Sequence, residues 1–174
     1  MDQAAAGVGW VRGMVPRFCE GDVHARRRAL VERVIARLGR PRRTSSPTAA
    51  LLDAMGLAPD LECDVAAVAL AYQPGAPVPP EADAAADRLA AACGGRSEES
   101  AARVCVLVQA HAATLALIAR LQAGDGAPAV PATRRIAPDG HEILVDLATA
   151  PFGAGRHACP GRELALHLAD ARPQ

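Results

Sequence analysis

Lysine and asparagine are both missing from these 174 residues, so all nineteen basic side chains are arginine. Nineteen acidic residues balance them and the formal charge is zero. A balanced chain has no general electrostatic pull toward nucleic acid or an anionic membrane, so partners of those two classes are not expected. Cysteine pairs at metal-ribbon spacing are lacking as well: Cys19, Cys63, Cys93, Cys105 and Cys159 are odd in number and widely separated. That argues against a disulfide framework or a zinc ribbon and points to a reducing cytoplasm. The N-terminal stretch MDQAAAGVGW has no basic segment followed by an apolar run, and no secretory signal is expected from it. The longest apolar run, VCVLVQAHAATLALIA, is interrupted by Gln109 and His111 and reads as a buried helix rather than a bilayer span.

What is present predicts a single domain over residues 1–174, mainly α with a small β-hairpin. A first, arginine-rich helix is expected from Asp22, as N-cap, to just before Gly39, with Leu30, Val31, Val34, Ile35 and Leu38 at helical spacing. PRRTSSPT reads as a linker. Short helices follow around Ala49 to Met55 and Leu61 to Tyr72, then a break at QPGAPVPP and a helix from Glu81 to Cys93. The longest helix is predicted from Glu98 to Gln122. Its middle is so poor in polar residues that burial nearly all round is expected. TRRIA and EILVDL flank Pro138-Asp139-Gly140, a hairpin signal, and a last helix is expected from Arg162 to Asp170.

The chemistry concentrates in PFGAGRHACPGRELA, Pro151 to Ala165, where a glycine-rich loop brings Cys159 to the mouth of the last helix. One reading is an ordinary buried cysteine. A second is a dinucleotide fingerprint, since Gly153, Gly155 and Ala158 match G-x-G-x-x-A. That motif needs a second strand and an acid about 20 residues on, and the sequence reaches Gln174 before either appears. The third is a haem-thiolate loop. A thiolate bound to iron is favoured by the free amides and positive end of a helix N-terminus, and Pro160 suits the first helical position. Gly155 and Gly161 would let the backbone approach a flat macrocycle, Phe152 would cover the sulfur side, and His157 could donate to a propionate.

Phe152-Gly153-Ala154-Gly155-Arg156-His157-Ala158-Cys159-Pro160-Gly161 resembles the haem-binding loop of the cytochrome P-450 family, F-x-x-G-x-[RH]-x-C-x-G. Average residue frequencies put a chance match at roughly one chain in ten thousand of this length. Upstream, Asp22 to Val31 resembles the family's helix C, whose His and Arg four residues apart bind the haem propionates; here they are His24 and Arg28, on one helix face. Pro131 to Ala137 resembles the strand that supplies another propionate-binding arginine, matched by Arg135. Val108 to Thr114 is similar to the oxygen-binding stretch of the family's long helix, often A-G-H-E-T-T. There Ala112 replaces the acid and Ala113 the threonine that together relay protons, and only Thr114 remains. On an ideal helix Thr114 is turned about 100° from the lost threonine.

The resemblance implies a truncated cytochrome P-450-like fold holding haem b, with Cys159 as iron ligand and His24, Arg28, Arg135 and His157 on the propionates. It implies monooxygenase or peroxygenase-type oxidation of a small apolar substrate, with a redoxin electron donor or peroxide as the source of oxidising power. Departures are large: Arg27 replaces an apolar residue, Glu-x-x-Arg occurs nowhere, and the sequence is well under half the family's usual length. An alternative is therefore a noncatalytic relic or interaction protein that binds haem weakly or not at all. A zinc site from Cys19, His24, His157 and Cys159 has suitable ligand types but no standard spacing.

Overall fold

The computed structural model describes residues 6–42, 44–124, 128–137 and 139–170. The first half of the N-terminal MDQAAAGVGW, part of the loop after the longest helix, and Pro138 of the hairpin turn lie outside them. Among the described residues the protein is mainly helical with one two-stranded antiparallel sheet: α1 (Gly7–Met14), α2 (Gly21–Leu38), α3 (Pro47–Ala54), α4 (Glu62–Ala71), α5 (Pro80–Ala92), α6 (Glu98–Ala123), β1 (Ala132–Ile136), β2 (Glu142–Asp146) and α7 (Arg162–Ala169).

Helix α6 is the spine. Ser97 caps it by accepting from the Ser100 amide, Glu98 and Glu99 place negative charge in its first turn, and Gly124 ends it in the left-handed conformation at φ +64°. Its first half, Ala101, Ala102 and Val104 to Val108, is buried against α1, α3, α4 and α5 with an aliphatic core that includes Val8, Leu51, Leu52, Val68 and Leu89. Helices α2 and α7 also pack on it. The expected burial nearly all round does not extend to the second half: Leu115 is 42% and Leu121 57% exposed. That half has fewer covering side chains, and one of its faces, Ala110, Ala113, Thr114 and Leu117, lines a cavity instead of packing. By length and mean hydropathy of 1.8, α6 also meets the criterion for a bilayer-crossing helix.

Polar contacts bolt the helices around this spine. Arg26 and Arg27 of α2 both hold Glu98 at the start of α6, at 2.8 and 2.9 Å. Arg103 donates to the Met55 and Cys93 carbonyls, each at 3.0 Å, joining the ends of α3 and α5. His167 of α7 meets the Pro41 carbonyl at 3.0 Å.

Helix α1 was not evident from composition, because three glycines in GVGWVRGM weaken it intrinsically. Tertiary contacts hold it: the Gly7 and Val8 amides donate to Asp87 and Asp83, both at 2.8 Å, so α5 caps α1. Gly7 has φ +63°, and a Cβ there would fall 2.1 Å from an Asp83 carboxylate oxygen. Helix α2 begins one residue before Asp22, with Glu20 at the N-cap position. Glu20 makes no capping bond because its carboxylate is engaged by Arg156 and His157, and Asp22 sits in the first turn, facing the positive helix end.

The hairpin pairs Arg134 with Leu144 and Arg135 with Ile143. Alternation along β1 sends the two arginines to opposite faces. Arg134 meets Glu142 at 2.9 Å in solvent, and Arg135 turns inward to the cavity.

The two arginines hold the Glu98 carboxyl down at about 2, below its ordinary 4.5. A depressed carboxylate stabilises the fold above its unfolded pKa and loses that contribution as pH falls through the folded value. Glu98→Gln is therefore expected to cost about 1 kcal/mol at pH 7. In urea unfolding measured across pH, the difference from wild type shrinks between pH 4.5 and about 2.

Candidate functional site

The loop from Pro151 to Gly161 folds back on itself through the Cys159 amide to the Phe152 carbonyl, at 2.7 Å, and the Gly153 amide to the Ala150 carbonyl, also at 2.7 Å. Gly153 has φ +72°, and a Cβ on it would meet the His157 carbonyl at 3.1 Å. Only glycine fits there without displacement. Gly155 also has positive φ, but a Cβ on it would face open space. Residues Gly155–His157 then form a short 3-10 turn, after which Cys159 and Pro160 lead into α7.

Cys159 stands on the wall of a cavity of about 310 Å³. It is exposed where it opens onto the cavity. Burial pushes its thiol up, and the Gly161 amide and the Arg28 guanidinium pull it back only in part. The amide at the helix end thus favours the thiolate, but desolvation outweighs it. A Cβ on Gly161 would lie 3.9 Å from the Cys159 sulfur and 3.7 Å from Ile35, so its absence keeps open the space beside the thiol.

Four separate segments bring positive charge to one end of the cavity. His24 of α2 and His157 of the loop meet edge to face with ring centroids 4.8 Å apart. Arg28, one turn beyond His24, donates to Glu32 at 2.7 Å and to the Arg156 carbonyl at 3.1 Å. Arg135 reaches the His157 carbonyl at 3.5 Å and forms no ion pair among the described residues. Arg17, between α1 and α2, donates to the Thr133 hydroxyl at 3.2 Å and the Arg134 carbonyl at 3.1 Å. Against these stands Glu20, which meets Arg156 at 3.1 Å and His157 at 3.4 Å. Burial lowers the pKa of His24, and Glu20 opposes this. His157 is lowered by burial and then by Arg135, and Arg135 itself by burial and then by Arg17. Desolvation and mutual repulsion therefore act together, and an anion placed among these groups would relieve both.

Helix α6 forms another wall. Gln109, Ala110, Ala113, Thr114 and Leu117 line it, with Cys105 deeper in. Thr114 is fully buried and its hydroxyl oxygen has no hydrogen-bond partner among the described residues. His111 does not line the cavity; its Nδ1 meets the Thr48 hydroxyl at 2.8 Å and ties α6 to α3.

Of the residues singled out in the sequence, His24, Arg28, Thr114, Arg135, Phe152, His157, Cys159 and Gly161 all line this one cavity. Gly155 does not, and its contribution is to the turn. No family model, curated protein or solved structure matches the chain. Sequence reasoning passed over Arg17, Glu20 and Gln109. Arg17 reaches the site only through the fold, and no spacing announced it.

In donor type, a thiol, partly desolvated arginines and apolar walls are the groups that would hold a haem with a sulfur ligand and two carboxylates. The volume lies at the lower limit of small-molecule cavities, about 300 to 1,000 Å³. The zinc alternative lacks a ligand set: among the described residues no group of three His, Cys, Asp or Glu side chains could hold a metal ion.

Gly153→Ala is expected to destabilise the protein by about 2 kcal/mol, combining left-handed strain with the carbonyl contact. Gly155→Ala, with strain alone, costs about 1 kcal/mol. Paired urea denaturation curves check the order.

Proposed function

We propose that this chain is a shortened haem-thiolate protein of the cytochrome P-450 type. In this reading Cys159 is the iron ligand of haem b, His24, Arg28, Arg135 and His157 hold the propionates, and Phe152 and Gly161 border the sulfur side. The observation that supports it most is convergence. The four segments resembling the family's haem-contacting motifs, spread over more than a hundred residues of sequence, meet around a single cavity.

Bound in this way, haem would supply oxidation chemistry, since the thiolate's electron donation favours O–O cleavage and insertion of one oxygen atom into a small apolar substrate. The chain's part is to hold and orient. Arg135 and Arg28 would neutralise the carboxylates, while the apolar wall from Ala110 to Leu117 would exclude water from the α6 side. Proton delivery is where the chain is weakest. Ala112 and Ala113 carry no titratable group, and general acid–base transfer is worth about 10² to 10⁴ in rate. Thr114 is the one hydroxyl on the α6 lining. A peroxide-driven reaction, which makes the smallest demand on proton delivery, suits this wall better than one fed by a redoxin electron donor. Scattered cysteines suit a reducing cytoplasm.

The second reading, a noncatalytic relic or interaction protein, is favoured by the same two alanines and by the raised Cys159 thiol.

The deciding measurement is the absorption spectrum of the reduced, carbon-monoxide-bound protein after haem reconstitution, beside Cys159→Ala. A red-shifted Soret band present in wild type and missing from the variant is the expected result. An identical spectrum in both proteins, or no haem uptake, transfers the argument to the noncatalytic reading. Arg135→Ala is further expected to weaken haem retention about tenfold through loss of a charge-assisted contact, measured by transfer to apomyoglobin. Arg134→Ala, on the opposite face of the strand, leaves retention unchanged.

A further inference from the structure

Gln109 is a polar residue set into a largely apolar stretch of α6, at a lining position of the cavity. Two buried groups fix its side chain. Its Nε2 donates to the Cys105 sulfur at 2.8 Å and to the Tyr72 hydroxyl oxygen at 3.3 Å. Tyr72 and Cys105 are each 1% exposed. The Tyr72 ring is itself held edge to face by Phe18, at 5.4 Å between centroids, and lies under the Arg17 guanidinium. With both contacts taken by Nε2, the Gln109 carbonyl oxygen has no hydrogen-bond partner among the described residues. An amide positioned by rigid neighbours, with one acceptor left over at a cavity wall, has the construction of a recognition group: its ordering cost is met before any ligand arrives. The neighbouring lining residues on the helix, Ala110 and Ala113, are small enough for a ring to lie flat beside it.

We propose that Gln109 selects the molecule that occupies the α6 side of the cavity, and that this molecule is apolar with one hydrogen-bond donor, a hydroxyl or an N–H, given to the Gln109 carbonyl oxygen. The inference rests on the cavity being the ligand site of the proposed function and adds to it the class of substrate. Gln109 acts as a specificity determinant and not as a proton carrier, since an amide does not titrate. An unsubstituted hydrocarbon would leave the acceptor desolvated and unpaired, which is the source of discrimination.

The test compares 4-fluorophenol with fluorobenzene by fluorine NMR titration of the full chain, with and without added haem. Wild type is expected to bind the phenol about fivefold more tightly than fluorobenzene, the worth of one net hydrogen bond. Gln109→Leu removes the preference. Gln109→Glu retains it, because the Tyr72 hydroxyl and Cys105 thiol can donate to a carboxylate while it still accepts from the ligand. Equal affinities in wild type, or an undiminished preference in Gln109→Leu, overturn the proposal. Paramagnetic broadening of the bound fluorine signal in the haem-loaded chain places the ligand beside iron and supports both readings. A preference that depends on Gln109 in a chain that takes up no haem upholds the selectivity and removes the haem assignment alone.

Discussion

One helix serves as both core and wall, and the rest of the molecule is arranged around that double duty. The first half of α6 buries a nearly unbroken apolar surface, from Ala101 to Val108, against four other helices. Burial of this kind contributes about 25 cal/mol per Å² of apolar surface and is what holds a chain with so few aromatic side chains together. The second half carries fewer covering side chains, and one of its faces borders a cavity. The Arg26, Arg27 and Glu98 cluster reinforces the first half at the helix start, where the carboxylate satisfies two guanidiniums and the positive end of α6 together.

The cavity's electrostatics follow from where the chain places its arginines. Most lie on exposed surfaces. Arg17, Arg28 and Arg135 are instead drawn to one end of the cavity, with His24 and His157; Glu20 lies against His157, and Glu32 pairs with Arg28. Burial and mutual repulsion lower the affinity of the histidines and of Arg135 for their protons, so this cluster stores unfavourable free energy that an anion would relieve. Glu20 is drawn away from capping α2 by the same charges, a local cost accepted for the site.

Much of this was legible in the sequence. The 3.6-residue spacing in α2 and α6, the hairpin turn, and the glycines of the Cys159 loop are local signals, each depending on a backbone preference or an apolar stripe within some twenty residues. Helix α1 and the exposure of the far half of α6 were not legible, since both depend on partners distant in the chain: Asp83 and Asp87 for α1, and the extent of the neighbouring helices for α6. Among site residues, His24, Arg28 and Cys159 stood out because they occur in patterned stretches. Arg17 and Glu20 belong to no pattern and are recruited by the turn between α1 and α2.

The sequence by itself determined which segments other than α1 are helical, where the chain turns, and that a cysteine would stand at the threshold of the last helix, because those outcomes depend on neighbours within a few residues. Only the tertiary structure decided that Cys159, two histidines, three arginines and the Gln109 wall would share one cavity. The physical reason is that convergence is set by packing and desolvation across the whole chain. The same desolvation governs the charge states, which no stretch of residues encodes alone: it raises the thiol and lowers the histidines only once the surrounding helices have excluded water.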